Sequence, residues 1–133
     1  MNLSFVRIDR GGLDRERLVL KASADTDLGN YVIFVTRHIN DDDIASAPVS
    51  VLWLPDRNLK RGDFVRVNTR AGTTSQTKNR SGTMTHEIYW GQRESVWSDP
   101  TRRPTLLEIN EWGTFDEAEE LREERSFPQP AQR

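Results

Sequence analysis

The sequence predicts a single all-β domain, built as a sandwich or a barrel. Its apolar residues fall in short clusters with period-two alternation, which is typical of strands. Glycine, proline, asparagine and aspartate separate the clusters, and no long amphipathic helical pattern interrupts them. The 133 residues fit one domain that can bury its own core.

Seven candidate strands follow from this pattern. The unbroken apolar run at residues 31–35 predicts a strand buried on both faces. In the run 64–68, we expect Val65 and Val67 to face inward, and Arg66 and Asn68 to face outward. The candidate strands span residues 3–8, 18–20, 31–35, 49–54, 64–68, 86–90 and 106–109.

Two segments lack this pattern. Residues 70–85 are polar and contain almost no large apolar side chain, so we expect a long, mobile hairpin loop. Residues 116–133 are rich in glutamate and include Pro128 and Pro130, which predicts a short acidic helix followed by a disordered tail. The predicted boundaries are therefore 1–115 for the β domain and 116–133 for the tail.

Charge is distributed unevenly along the chain. The formal net charge is −2, but residues 57–103 carry 10 basic and 4 acidic residues, whereas residues 104–133 carry 3 basic and 8 acidic residues. A basic middle segment is suited to an anionic partner. We therefore predict a non-catalytic binding or accessory module that uses a basic rim. The predicted rim consists of Arg66, Arg70, Lys78, Arg80, Arg102 and Arg103.

Two kinds of partner fit this rim. We expect the rim and the loop 70–85 to contact a protein partner of unknown identity, with the loop ordering on contact. The alternative is non-specific binding of nucleic acid, such as DNA, because lysine and arginine bind phosphates by displacing counterions. No recognition helix or aromatic RNA-binding motif accompanies the rim, which disfavours a sequence-specific reader. Homo-oligomerisation through an edge strand also stays open.

The residues that catalysis usually needs are few. The sequence has no cysteine and two histidines, and it lacks the glycine-rich nucleotide-binding motifs and the nucleophile elbow. His38 precedes the acidic run 41–43, which we interpret as a solvated turn rather than a metal site. His86 is expected to be a half-exposed side chain at the start of a strand. We therefore predict no enzymatic activity, no catalytic residue, no metal and no cofactor.

The compartment is inferred from the start of the chain and from its hydropathy. Arg7, Asp9 and Arg10 interrupt any apolar run that a secretory signal would need. No stretch approaches the roughly 18 apolar residues of a membrane span. We expect a soluble, cytoplasmic protein without a membrane partner, and the lack of cysteine is consistent with a reducing compartment.

The four tryptophans are assigned to two environments. Large aromatic side chains dominate core energetics, so we expect Trp53, Trp90 and Trp97 to pack in the core. Trp112 lies beside Gly113 and near the acidic tail, and it is the best candidate for an exposed tryptophan.

Three blocks of sequence carry a further pattern. The first is LKRGDFVRVNTRAG at residues 59–72. The second is IYWG at 88–91 followed by VWSD at 96–99, and the third is LLEINEWG at 106–113. In order and spacing these blocks resemble the lamin-tail domain family. The resemblance covers residues 17–115 at most and is dense over 59–113.

This resemblance implies an immunoglobulin-like β-sandwich of about seven to nine strands. Bacterial members of the family often accompany nucleases or surface enzymes as accessory modules, and nuclear-lamina members contact protein partners and nucleic acid. The fold of the family carries no catalytic residues, so the resemblance implies none here. Where the family usually has a Gly-Trp pair before its middle strand, this chain has Trp53 without the glycine.

Overall fold

The computed structural model describes residues 1–40, 43–45 and 47–118, and in this part of the chain the all-β prediction is confirmed. The one 3₁₀ turn among these residues is Leu28–Asn30. The strands are β1 (Leu3–Asp9), β2 (Arg17–Ala22), β3 (Thr26–Asp27), β4 (Tyr31–Arg37), β5 (Ser50–Trp53), β6 (Asn58–Leu59), β7 (Phe64–Asn68), β8 (Ser75–Lys78), β9 (Met84–Tyr89) and β10 (Arg102–Glu108).

The described strands form two larger sheets and one small ribbon. The first sheet has five strands in the order β1-β2-β7-β9-β8, and the second has three strands in the order β10-β4-β5. Strands β3 and β6 pair with each other. Neighbouring strands are antiparallel except β7 and β9, which run parallel.

Both larger sheets contribute side chains to one hydrophobic core. Val65 and Val67 on β7 are buried in this core, as predicted, and Ile33 and Val35 on β4 enter the same cluster. Strand β4 is buried on both faces over most of its length, because Val32 on its other face is also nearly inaccessible. This two-sided burial confirms the interpretation of the apolar run 31–35.

The segment 70–85 is not a loop throughout. It contains β8, which pairs with β9 to form a hairpin closed by a turn between Asn79 and Thr83. All four residues of β8 are exposed, so backbone hydrogen bonds rather than apolar burial hold this strand at the sheet edge. A search for apolar alternation therefore passes over β8, and it passes over β3 and β6 because two residues are too few to show an alternation.

The tryptophan assignments are partly wrong. Trp97 is fully buried, and Trp90 is half-buried against the core with its ring centroid 6.4 Å from that of Trp97. Trp53, however, is 46% exposed. Its neighbour Leu52 packs against the core from β5, so the alternation of the strand directs Trp53 to the opposite face. Trp112 is 66% exposed, as expected.

The remaining predictions on topology concern the end of the chain and the membrane. The predicted acidic helix and tail at 116–133 lie outside the described residues from 119 onwards. Within the described ranges, no helix is long and apolar enough to cross a membrane.

A buried carboxylate fastens the segment before β10 to the core. Glu16 is 1% exposed, and its carboxylate accepts hydrogen bonds from the backbone N–H groups of Val96 (2.6 Å) and Trp97 (3.3 Å). The side-chain hydroxyl of Ser95 donates a third hydrogen bond to it. Burial alone would raise the pKa of Glu16, but these hydrogen bonds outweigh it and hold the pKa below its ordinary value. The charged carboxylate therefore positions the chain around Trp97.

Replacing Glu16 with glutamine is expected to lower the free energy of unfolding by about 2 kcal/mol, because hydrogen bonds to a charged group contribute more than neutral ones. Urea unfolding followed by tryptophan fluorescence measures this change. Glu94→Gln, at an exposed glutamate two residues before Val96, is the matched control and is expected to have a negligible effect. Equal stability of the two variants would contradict the anchoring role of Glu16.

Candidate functional site

The outer face of the five-stranded sheet is rich in cations. Because Val65 and Val67 face the core, Arg66 between them faces outward, and the strand register aligns it with outward positions of β2 and β9. We call the surface formed by these outward side chains the basic face. Its cations are Arg7, Arg17, Lys21, Arg66 and Arg70.

The carboxylates on the basic face are neutralised by neighbouring cations. Asp9 lies 3.0 Å from Arg7 and 3.5 Å from Arg17. Glu87 on β9 forms an ion pair with Arg66 directly across the parallel β7–β9 pair. The Asn68 side chain donates a further hydrogen bond to Glu87 at 2.8 Å. Since both acids are paired in this way, the remaining charge of the face is positive.

Two aromatic rings on the basic face are covered by cations. The Lys21 ammonium lies 5.3 Å from the centroid of the Phe64 ring, and the Arg70 guanidinium lies 5.3 Å from the centroid of the Tyr89 ring. The chain after Arg70 passes close to Tyr89, since a Cβ on Gly72 would lie 2.3 Å from ring carbons. Both cations thus lie over aromatic rings, and both side chains are still exposed to solvent.

The six predicted rim residues lie in several separate parts of the structure. Arg66 and Arg70 belong to the basic face. Lys78 pairs with Met84 on the β8–β9 hairpin, and the alternation of β8 places it on the face opposite to Arg66. Arg80 is exposed in the turn at the tip of this hairpin.

The last two rim residues belong to the other sheet. Arg102 on β10 is half-buried, with its guanidinium 3.9 Å from Asp99 and within hydrogen-bond distance (3.4 Å) of the Val96 carbonyl. Arg103 is exposed on the outer face of the three-stranded sheet, beside Thr36. The six residues therefore do not form one continuous surface, and a set chosen by charge along the sequence cannot show which sheet carries each residue.

His86 is buried in a polar network rather than half-exposed. It is 2% exposed and faces inward from β9, two residues before the core residue Ile88. Its Nδ1 accepts a hydrogen bond from the Arg57 guanidinium at 2.9 Å, and its Nε2 lies 3.0 Å from Asp63. Because a guanidinium only donates, the ring proton is on Nε2 and is donated to Asp63. The prediction for His86 is therefore wrong.

Asp63 is the acceptor centre of this network. It also accepts backbone hydrogen bonds from Lys60 and Met84, each at 3.0 Å. Burial alone would raise the pKa of Asp63, but the hydrogen bonds from His86, Met84 and Lys60 outweigh it and hold the pKa below its ordinary value of 3.8. Both ring nitrogens of His86 are thereby committed, and the network joins the turn before β7 to β9.

In the described ranges, no group of three or more His, Cys, Asp or Glu side chains is arranged to hold a metal ion. His38 is half-buried and forms an isolated bridge with Ile44. The acidic run that follows it lies partly outside the described residues, since the structure describes Asp43 but not positions 41 and 42.

Strand β5 presents apolar side chains to solvent on the outer face of the three-stranded sheet. Val51 and Trp53 on β5 are 47% and 46% exposed. The Trp112 ring packs edge-to-face against Trp53, with centroids 5.1 Å apart and planes at 90°. Sequence reasoning missed this pair, because nothing in the spacing of residues 53 and 112 indicates that they meet.

No protein-family model matches this chain, and no curated protein matches it either.

The buried network predicts a specific dependence of stability on pH. Because the pKa of Asp63 is lower in the folded protein than in the unfolded chain, its stabilising contribution is full above about 3.8 and is lost as the pH falls through the folded-state pKa. Asp63→Asn is therefore expected to lower the free energy of unfolding by about 2 kcal/mol at neutral pH. This deficit is expected to shrink in strong acid.

Urea unfolding of both proteins across a pH series measures this difference. Asp14→Asn, at an exposed aspartate in the turn before β2, serves as the control and is expected to follow wild type at every pH. A deficit of Asp63→Asn that stays constant into strong acid would show that the ionised carboxylate does not carry the stabilisation.

Proposed function

We propose that this chain is a non-catalytic binding module that uses the basic face to hold an acidic segment of a protein partner. The observation that carries the proposal is the arrangement of five cations on one outward sheet face whose two carboxylates are already ion-paired. An acidic segment that docks there meets uncompensated positive charge. Electrostatic complementarity of this kind favours encounter and register.

A protein partner is favoured over nucleic acid because cations already lie over the aromatic rings of the basic face. Single-stranded nucleic acid binds to sheets largely by stacking bases on exposed aromatic faces. Here Lys21 covers Phe64 and Arg70 covers Tyr89, so stacking would first displace these cations. Carboxylates spaced along an extended peptide can instead pair with the cations where they already lie. Binding of nucleic acid by the same surface is the alternative that the experiment distinguishes.

We also propose that the chain does not catalyse a reaction. This is supported by His86, a buried residue whose two ring nitrogens are already hydrogen-bonded to Arg57 and Asp63. A general base must reach the proton that it abstracts, and this ring faces the interior. His38, the other histidine, makes no hydrogen bond from either ring nitrogen to a described residue. A cytoplasmic location belongs to the same proposal, supported by the lack of cysteine.

We further propose that the fold is an immunoglobulin-like sandwich of the lamin-tail type. Support comes from the two sheets that share one core, and from Trp90 and Trp97, which lie against that core and belong to the second sequence block. The parallel pairing of β7 and β9 is a difference, since immunoglobulin-like sheets are antiparallel. A solved relative with the same parallel pair would support the assignment.

Charge reversal on the basic face tests the proposed function. The double variant Lys21→Glu with Arg70→Glu is expected to weaken binding of a fluorescent glutamate-rich peptide by roughly tenfold or more, because each change replaces an attraction with a repulsion. Fluorescence anisotropy measures the affinity. Both side chains lie outside the core, so the circular dichroism spectrum is expected to stay that of wild type.

The matched control is a double variant with the same change of net charge, but its two substitutions lie outside the basic face. Lys78→Glu with Arg103→Glu alters two rim cations that lie off the basic face, and it is expected to leave the affinity within about twofold of wild type. An equal loss in both double variants would show that net charge rather than the basic face attracts the peptide. Wild-type protein that does not bind the peptide would refute the proposal.

A single-stranded oligothymidylate of equal charge separates the two partner classes. If it binds more tightly than the peptide, with an affinity that falls steeply as salt rises, the surface is a nucleic-acid interface instead. Light scattering belongs to the same experiment, because β5 and β8 are edge strands that can pair with a second copy.

A further inference from the structure

A cleft of about 340 Å³ opens beside the exposed Trp53–Trp112 pair. It lies between the end of β5, the 3₁₀ turn Leu28–Asn30 and the segment that follows β10. Pro55 and Asp56 complete its lining. Its volume is at the lower end of the range of small-ligand sites, which begins at about 300 Å³.

Two indole rings form adjoining walls of this cleft. The planes of Trp53 and Trp112 are perpendicular, and the side chains are 46% and 66% exposed. The Trp53 indole N–H donates a hydrogen bond to the Gly29 carbonyl at 2.8 Å, which fixes the orientation of the ring. The segment that carries Trp112 is held by a backbone hydrogen bond from Ile109 to the Asn30 carbonyl at 2.7 Å. Both walls are therefore attached to the same turn.

The cleft has a negative charge and no positive one among its described lining residues. Asp56 contributes a carboxylate that makes no hydrogen bond or ion pair with any described residue. This carboxylate packs closely against the backbone of Gly29, because a Cβ added to Gly29 would lie only 1.9 Å from the Asp56 Oδ1 atom. The neighbouring Arg57 directs its guanidinium to His86. An incoming cation therefore meets an uncompensated carboxylate beside the two indole rings.

We propose that this cleft binds a quaternary ammonium group. Aromatic faces attract a cation through their quadrupole, and perpendicular aromatic walls with a nearby carboxylate suit a diffuse, weakly hydrated charge. A primary ammonium carries three N–H donors that need acceptors; the Asp56 carboxylate can accept from them, but the indole faces supply no acceptor for the rest. A trimethylammonium group has no donor to satisfy. The inference goes beyond the proposed function, since it uses no residue of the basic face.

Two sources present this group. One is a free choline-like molecule, and the other is a trimethylated lysine side chain on a peptide. The chemistry recognised by the cleft is the same for both, and the flanking atoms of the ligand decide which binds more tightly. The experiment therefore includes both forms.

Titration with choline chloride tests the proposal directly. Binding is followed by tryptophan fluorescence and by the indole N–H resonances of the ¹⁵N-labelled full chain. We expect the Trp53 and Trp112 signals to shift together, while those of Trp90 and Trp97 stay constant. Sodium chloride at equal ionic strength and 3,3-dimethyl-1-butanol, the neutral carbon analogue of choline, are expected to leave all four signals unchanged. A trimethyllysine peptide and its unmodified form make up the second arm.

Three variants assign the contribution of each group. Trp112→Ala is expected to weaken choline binding by about tenfold, the scale of a partly desolvated cation–π contact. Asp56→Asn keeps the shape of the cleft and is expected to weaken binding by about threefold through the lost charge alone. Phe115→Ala removes another exposed aromatic ring of the same segment and serves as the control, with no expected change. Phe115 does not line the cleft.

Several results would overturn the proposal. Binding of the neutral analogue as tight as that of choline would show that the cleft recognises shape without charge, and this result would exclude a cation site. Equal loss in Trp112→Ala and Phe115→Ala would show non-specific apolar contact. Constant indole resonances up to saturating choline would show that the cleft does not bind the group. Because Asp56→Asn is isosteric and exposed, its result stands even if Trp112→Ala misfolds.

Discussion

A single core shared by two sheets is the constraint on which the rest of the structure depends. Strand alternation commits every second side chain of the central strands to this core, so the intervening side chains must lie on the outer faces of the sheets. On β7, burial of Val65 and Val67 forces Arg66 outward. On β5, packing of Leu52 forces Trp53 outward. The chemistry of the two surfaces is therefore a direct consequence of which residues the core accepts.

Buried charge connects this core to the segments outside the sheets. Glu16, Asp63 and Glu87 are all nearly inaccessible, and each would be costly to bury without partners. Glu16 receives its hydrogen bonds from the segment before β10, and Asp63 receives them from His86 and from the turn before β7. Glu87 instead joins β7 to β9 across their parallel pairing. Each carboxylate thus accepts hydrogen bonds from donors that burial removes from water.

Strands that bury alternating apolar side chains could be predicted from the sequence. Features that depend on pairing between distant segments could not. Strand β7 was predicted at its observed bounds, because its valines alternate with polar residues. Strand β8 is polar throughout and exists only through its backbone bonds to β9. The environment of His86 depends on Arg57 and Asp63, which lie 29 and 23 residues away. Contacts of that separation leave no local pattern, and the Trp53–Trp112 pair is hidden for the same reason.

The buried network and the aromatic cleft share a physical connection. One oxygen of Asp27 accepts backbone hydrogen bonds from both Gly29 (2.9 Å) and Arg57 (3.1 Å), while the Arg57 side chain donates to His86. Gly29 in turn accepts the Trp53 indole N–H and supports the Asp56 carboxylate. The turn that lines the cleft is therefore linked to the Asp63–His86–Arg57 network through Asp27 and Arg57. Rigid support of this kind reduces the ordering cost of binding, and this would favour the ammonium ligand that we propose for the cleft.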